Sequence, residues 1–236
     1  MAAKKTTRGQ VPAVVDILGF RIAANHYQQG ETLPIEQELA DSLKVGRNAL
    51  REAVKVLSGK GLISTAPRSG TKVRPREEWN MLDPDVLRWH SDPDIATDKF
   101  MLDLIEMRRI IEPKAAELAA VRGSKEDVAA IINAYEAMAD PAASEEQRIE
   151  ADIEFHSAIL KASGNEVMNH FRYAIGAYLK AHARLGQSQD ELAIMQDKLR
   201  HQKIAWAIAG GKAKTAYSLT VEMLNANRSH FEQEEK

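Results

Sequence analysis

Residues 44–73 read KVGRNALREAVKVLSGKGLISTAPRSGTKV, and their pattern decides the fold of the first third of the chain. Leu43-Lys44-Val45-Gly46 reads as a turn. Leu50, Val54 and Leu57, with Ala53 beside them, then recur at helical spacing. Arg47, Asn48 and Arg51 crowd the first turn and a half of that helix, and Gly59 and Gly61 end it. Residues 63–65 and 71–73 read as two short strands around a basic, glycine-bearing turn, Pro67-Arg68-Ser69-Gly70. The order is helix, turn, helix, then a two-stranded wing.

Long donors near the start of a helix reach base edges and phosphates together when that helix enters a major groove. Arg47 and Arg51 stand four residues apart and so share one face. The apolar residues hold the other face on a core. Two arginines on a solvated helix would by themselves be unremarkable. The complete order, with a wing behind the helix, points to double-stranded DNA.

Working outward, residues 11–24 form a first helix with Val14, Ile17, Leu18, Phe20 and Ile22 apolar, stopped at Gln28-Gln29-Gly30. Leu33-Pro34 leads into a helix over 35–43, with proline at its entry. Gln29-Gly30-Glu31-Thr32-Leu33-Pro34, Glu36-Gln37-Glu38-Leu39-Ala40, Val45-Gly46-Arg47, Leu50-Arg51-Glu52-Ala53 and Gly61-Leu62-Ile63 resemble the winged-helix domain of GntR-type bacterial transcription regulators. The likeness runs from about residue 9 to residue 76 without a gap. It implies DNA contacts from Gln37, Arg47, Asn48 and Arg51 and from the wing residues Arg68, Ser69, Gly70 and Thr71. Two positions depart from the family pattern. Gln37 stands where arginine is common, and Asn48 where threonine is common. Each keeps a group able to bond an adenine edge, and Gln37 loses a charge.

Net charge divides the chain. Residues 1–76 hold 13 Lys+Arg against 6 Asp+Glu, a net of +7, which leaves −9 for the rest of a chain whose total is −2. Only the first part is built to meet a polyanion. There is no cysteine, which excludes a disulfide framework and a thiolate metal site. No apolar run approaches membrane-spanning length, so the reading is a cytoplasmic protein with no membrane partner. With 236 residues and 6% aromatics, the composition favours helices. The expected fold is mainly α: a basic tail over 1–9, a winged helix-turn-helix domain over 10–76, a linker over 77–98 and an all-α bundle over 99–236.

The linker carries Trp79, Leu82, Leu87 and Trp89 around a short helix over 84–90, expected to pack on the following domain. It resembles the linkers of GntR regulators of sugar-acid catabolism, of the galactonate type. Six helices follow, over 100–122, 125–138, 144–163, 166–185, 190–209 and 212–232, the second capped by Ser124 with Asp127. Leu102, Ile105, Met107, Ile110, Ile111, Leu118 and Ala119 are expected inside the first of these. Arg108-Arg109-Ile110-Ile111-Glu112-Pro113, Asp152-Ile153-Glu154-Phe155-His156 and His201-Gln202-Lys203-Ile204 resemble the FCD ligand-binding domain of the FadR-like branch.

Asp152 and His156 lie four apart on one helical face, and His201 sits midway along another amphipathic helix. A carboxylate with imidazoles suits Zn²⁺, Ni²⁺ or Mn²⁺, and it equally suits a hydrogen-bonded pair. The FCD resemblance implies the metal, held by Asp152, His156 and His201. At the family's fourth ligand position stands Met223, a poor ligand for such an ion, with Asn227 one turn on and His230 two turns on. The site then holds its metal through three protein ligands plus water or effector, or binds effector directly through the histidines. Arg108 matches the family's cavity arginine, where a guanidinium takes a carboxylate through its fork; the alternative is a salt bridge to Glu112 or Glu106. Tyr178 and Trp206 either line the same cavity or belong to the core.

These readings combine into a homodimeric regulator, a repressor, whose operator affinity responds to a small organic acid bound through Arg108, Tyr178, Trp206 and Asn227. Two alternatives from other classes stand beside it. A metal-dependent hydrolase tethered to DNA would use Asp152, His156 and His201 to activate water. A purely architectural DNA-binding protein would need no cavity.

Overall fold

A computed structural model describes residues 7–66, 69–184 and 191–233, with the side chains of residues 7, 8, 191, 193 and 227–233 left aside. The chain divides into two compact units, Met1–Ile95 and Ala96–Lys236.

The first unit opens with helix α1 (Thr7–Ala23). Residues 7–9, expected in the basic tail, already belong to this helix, and residues 1–6 lie outside the description. Helix α2 (Glu36–Leu43) follows. It stops where Lys44 takes a left-handed conformation at φ 54°, so the backbone reverses before α3 (Arg47–Gly59). Strands β1 (Ile63–Ala66) and β2 (Gly70–Val73) pair antiparallel, Ile63 opposite Val73 and Ala66 opposite Gly70. Thr32 adds an isolated bridge to Lys72, which ties the segment before α2 to the wing. Leu18, Ile22, Leu39, Leu50, Leu57 and Ile63 fill the core beneath these elements.

The linker residues finish that core. A 3-10 turn (Arg76–Glu78) leads to α4 (Pro84–His90), capped by Asp83, whose side chain accepts from the backbone N–H of Asp85 and Val86. Trp79, Val86 and Trp89 join the buried cluster of the first unit. The expectation that the linker tryptophans pack on the next domain is corrected: both join the core of the first unit, Trp89 against α1 and Trp79 beside Gly61, with its Nε1–H donated to the Arg74 carbonyl oxygen. The helix α1 is prepared for Trp89, because a Cβ at Gly19 would stand 2.2 Å from the Trp89 ring. Leu82 faces solvent and serves neither core. Lys60, just past α3, is clamped to Asp83 at 2.7 Å and Asp85 at 2.9 Å, so the recognition helix and α4 are tied by charge as well as packing.

The second unit is a bundle of seven helices among the described residues: α5 (Asp98–Arg122), α6 (Lys125–Ala139), α7 (Glu145–Ala162), α8 (Glu166–His170), α9 (Arg172–Arg184), α10 (Glu191–Ala209) and α11 (Ala213–Gln233). Capping boxes open α6 at Ser124 with Asp127, as expected, and α7 at Ser144 with Gln147. The single helix expected over 166–185 is two, with a break at Phe171. Helix α5 also departs from expectation. Ile110 is 69% exposed, and the buried stripe runs through Met101, Leu104, Ile105, Arg108, Glu112 and Ala116. The helical period puts Arg108 and Glu112 in line with the apolar stripe and turns Ile110 away from it. Tertiary pairing, not hydropathy, chose that face. No described helix is long and apolar enough to cross a membrane.

Candidate functional site

In the first unit most of the described residues expected at DNA are exposed, at the start of α3 and at the wing turn. Arg47 and Asn48 open α3 and are exposed, with Arg51 one turn later. On the opposite side of the helix Ala49, Leu50, Ala53 and Leu57 are buried, which fixes the outward face. Arg51 donates to Glu36 at the start of α2, with one contact at 3.1 Å. Gln37, half-buried beside it, donates to Asp41 at 2.7 Å. On the wing, Ser69 and Gly70 are exposed, Thr71 is half-buried, and Gly70 holds φ +73°, a left-handed turn that suits glycine. Arg68 lies outside the described residues. The two carboxylate partners, Glu36 and Asp41, were not singled out from the sequence; their signal was proximity in the fold, since Glu36 is fifteen residues before Arg51.

In the second unit, charged and ring side chains converge where an all-α bundle would be expected to hold only apolar ones. Helix α7 brings Asp152 and His156, α10 brings His201, α5 brings Arg108 and Glu112, and α9 brings Tyr178. His156 Nε2 and His201 Nε2 stand 3.3 and 3.2 Å from the same oxygen, Asp152 Oδ1. One ligand atom from each of the three residues lies within 4.8 Å of the others. Ligand atoms about 2.1 Å from one tetrahedral ion stand roughly 3.4 Å apart, so the observed separations suit a divalent cation. The donors also turn to one another: Asp152 Oδ1 and His201 Nε2 are buried, and their polar contacts at this point are the ion-pair contacts within the cluster, off the ideal hydrogen-bond angle. Each imidazole is held from behind. His201 Nδ1 lies 2.8 Å from the Asp197 carbonyl oxygen, and His156 Nδ1 lies 2.7 Å from Glu112 Oε2, close enough to pair though off the ideal hydrogen-bond angle.

The electrostatics follow from burial opposed by neighbours. Burial alone would raise the Asp152 carboxyl, but hydrogen bonds and charge from His156 and His201 outweigh it and hold Asp152 well below the usual carboxylate range. Burial likewise works against the charged form of His201, yet Asp197 and Asp152 lift it to about 9. His156 is also raised against burial, by Glu112 and Asp152. Glu112 is held at about 2 because the charges of Arg108 and His156 overcome its burial. Burial pushes the Tyr178 hydroxyl up to about 12. Without a metal, these shifts favour Asp152 and Glu112 as carboxylates and His201 as an imidazolium at neutral pH.

Arg108 is fully buried. It donates from Nε to Glu112 at 2.5 Å and lies with its Cζ 4.6 Å above the Tyr178 ring. Its Nη2 reaches within 3.4 Å of His156 Nε2. The salt bridge to Glu112 is therefore present, and the guanidinium still faces the histidine cluster. Tyr178 belongs to the same constellation. Trp206 does not: it is 58% exposed on α10, five residues and so more than a third of a turn around from His201, while Ile204, Ala205 and Ile208 take the inner face. Met223 is buried on α11. The Asn227 and His230 side chains lie outside the described residues. Glu112, read from the sequence only as a salt-bridge partner, is a central member of the cluster; its spacing of four from Arg108 was the available signal.

This geometry, an outward basic helix in one unit and a buried Asp/His/His cluster in the other, meets two family models. Residues 11–73 match bacterial regulatory proteins of the gntR family. Residues 103–226 match the FCD domain. The chain belongs to the GntR family. Like its family, this GntR protein is a DNA-binding transcription regulator, and neither match supports the hydrolase alternative. It is 33% identical over 211 residues to the galactonate operon transcriptional repressor of Escherichia coli K12, covering 86% of this chain and 90% of that one. It is 27% identical to the HTH-type transcriptional regulator LutR of Bacillus subtilis 168, over 79% of this chain and 85% of that one. A solved GntR structure from Streptococcus agalactiae shares the fold at a TM-score of 0.52 and 24% identity, spanning 93% of this chain and 99% of the other.

Proposed function

We propose that this GntR regulator is a cytoplasmic, homodimeric repressor that releases its operator when a small hydroxy acid, of the sugar-acid class, binds in the bundle beside a divalent metal. The observation that carries the reading is the convergence of Asp152, His156, His201 and Arg108 on one buried point. A cation site with an arginine against it is complementary to a carboxylate: one oxygen for the metal, the other for the guanidinium. The likeness to a galactonate operon repressor supports a sugar acid, whose hydroxyls offer further donors.

Asp152, His156 and His201 would hold the ion, and a bound Zn²⁺, Ni²⁺ or Mn²⁺ would supply a Lewis-acid position for the acid's oxygen. Three protein donors leave that position to the effector, consistent with Met223 at the fourth family position. Arg108 orients the carboxylate, and the Tyr178 ring beneath it keeps the guanidinium in place. Asn227 on α11 is a further effector-binding candidate. In the other unit, Arg47, Asn48 and Arg51 read bases and phosphates, Gln37 bonds the backbone or an adenine edge, and the wing residues 68–71 follow the groove. A dimer brings two such helices to a pseudo-palindrome.

The test is a thermal-shift screen of aldonic, uronic and short hydroxy acids, with zinc and with chelator, followed by gel-shift titration on the chain's own promoter region. The expected result is an acid-specific rise in melting temperature that chelator removes, and weaker DNA binding with the same acid. A shift that survives chelator would assign the acid to the histidines and Arg108 without metal. No shift with any acid would defeat the effector reading.

A further inference from the structure

Glu112 sits one turn after Arg108 on α5, and both side chains are buried. Its two oxygens face different partners. Oε1 takes the Arg108 Nε–H at 2.5 Å, and Oε2 lies 2.7 Å from His156 Nδ1. A carboxylate accepts and does not donate, so the proton at this contact belongs to Nδ1. Nε2 of His156 faces a group that can only donate, Arg108 Nη2 at 3.4 Å, which makes Nε2 the accepting ring atom, able to ligate a cation beside Asp152 Oδ1, 3.3 Å away. The same carboxylate turns the guanidinium. With Nε engaged by Glu112, the Nη2 edge is the one presented to the cluster, 3.4 Å from His156 Nε2.

We propose that Glu112 is the positioning residue of the site: one oxygen selects Nε2 of His156 as a metal ligand, and the other aims Arg108 at the carboxylate of the effector. This rests on the reading of Asp152, His156 and His201 as a metal site, and adds a residue to it that touches neither metal nor effector. Carboxylates behind ligating histidines fix ring orientation and tautomer, and their loss weakens metal binding about 10- to 100-fold. A merely structural Glu112 would only neutralise Arg108.

Glu112→Gln separates these roles, because it keeps the volume but has one acceptor oxygen. That oxygen can serve His156 or Arg108, and the amide NH₂ then opposes the other donor. The experiment measures zinc affinity of the full chain by competition with a chromophoric chelator. Alongside it, side-chain nitrogen NMR of His156 is recorded on metal-free protein, at a pH alkaline enough to leave the ring neutral. The expected result is an Nδ1–H tautomer in wild type, zinc binding weaker by about 10- to 100-fold in Glu112→Gln, and mixed His156 tautomers in that variant. Glu112→Asp, which keeps the charge on a shorter stem, should fall between the two and covers a failure of the Gln variant to fold. Unchanged zinc affinity with unchanged His156 nitrogen shifts, even with a lower melting temperature, would reduce Glu112 to a counter-ion and overturn the proposal. Asp152→Ala distinguishes the underlying reading: it should abolish zinc binding while His156 keeps its Nδ1–H. A wild-type chain that shows that tautomer and binds no zinc would overturn the metal reading, and the ligand-positioning role with it.

Discussion

Each unit carries an arginine paired with a glutamate, and the two pairs differ above all in their exposure to water. Arg51–Glu36 lies on the surface, with side chains 61% and 39% exposed; Arg108–Glu112 lies inside the bundle, at 1% and 3%. Water screens the first pair and competes for both partners, so it contributes little to stability and can open without penalty when a phosphate or base arrives. The second pair has been taken out of water. Neither partner can leave without stranding a charge, and the pair persists because Arg108 also rests on Tyr178 and Glu112 also holds His156. The same chemistry is thus an exchangeable contact in one unit and a fixed scaffold in the other. A surface that meets a polyanion needs the first; a pocket that must keep its shape before the ligand enters needs the second.

The comparison breaks most readily at Glu112. Glu112→Ala should destabilise the bundle by about 3–5 kcal/mol, because it leaves Arg108 buried and unpaired, whereas Glu36→Ala should leave unfolding unchanged. Urea melts of the two variants decide it, and equal losses would remove the distinction. Next in size are losses of function. Arg51→Ala should weaken operator binding about tenfold or more with the melting temperature preserved, while Arg108→Ala should abolish the response to acid and keep DNA binding, with a lower melting temperature because Glu112 loses its buried partner. A gel-shift titration with and without effector reads both.

A smaller effect comes from pH. His201 is lifted to about 9 in the folded chain, against about 6.5 when unfolded. Its contribution is therefore complete below about pH 6.5 and is lost as pH rises through about 9. The metal-free chain should melt at progressively lower temperature across that window, and zinc, which needs the neutral rings, should oppose the fall. A flat profile without metal would mean the contacts of His201 with Asp197 and Asp152 do not stabilise the bundle. The smallest expected change is Gln37→Arg. It should raise DNA affinity and steepen the salt dependence by about one phosphate contact, measured as the slope of log affinity against log salt.

The helix-turn-helix and its wing were legible from residues 35–73, because turn residues and helical spacing are local signals. The capping of α6 by Ser124 and Asp127 was equally local. So was the pairing of Asp152 with His156, which a single helical turn dictates. Other features depended on partners distant in the chain. Trp79 and Trp89 are apolar wherever they pack, and only tertiary partners send them into the first unit's core, Trp89 through the close approach at Gly19 of α1. Trp206 and Ile110 look like core by composition, yet the faces of α10 and α5 are chosen by His201, Arg108 and Glu112 meeting inside the bundle. That choice is tertiary for a physical reason. Burying an arginine, a glutamate and two histidines is tolerable only where opposite charges from three helices arrive at one point, and no single helix holds enough of them to show it.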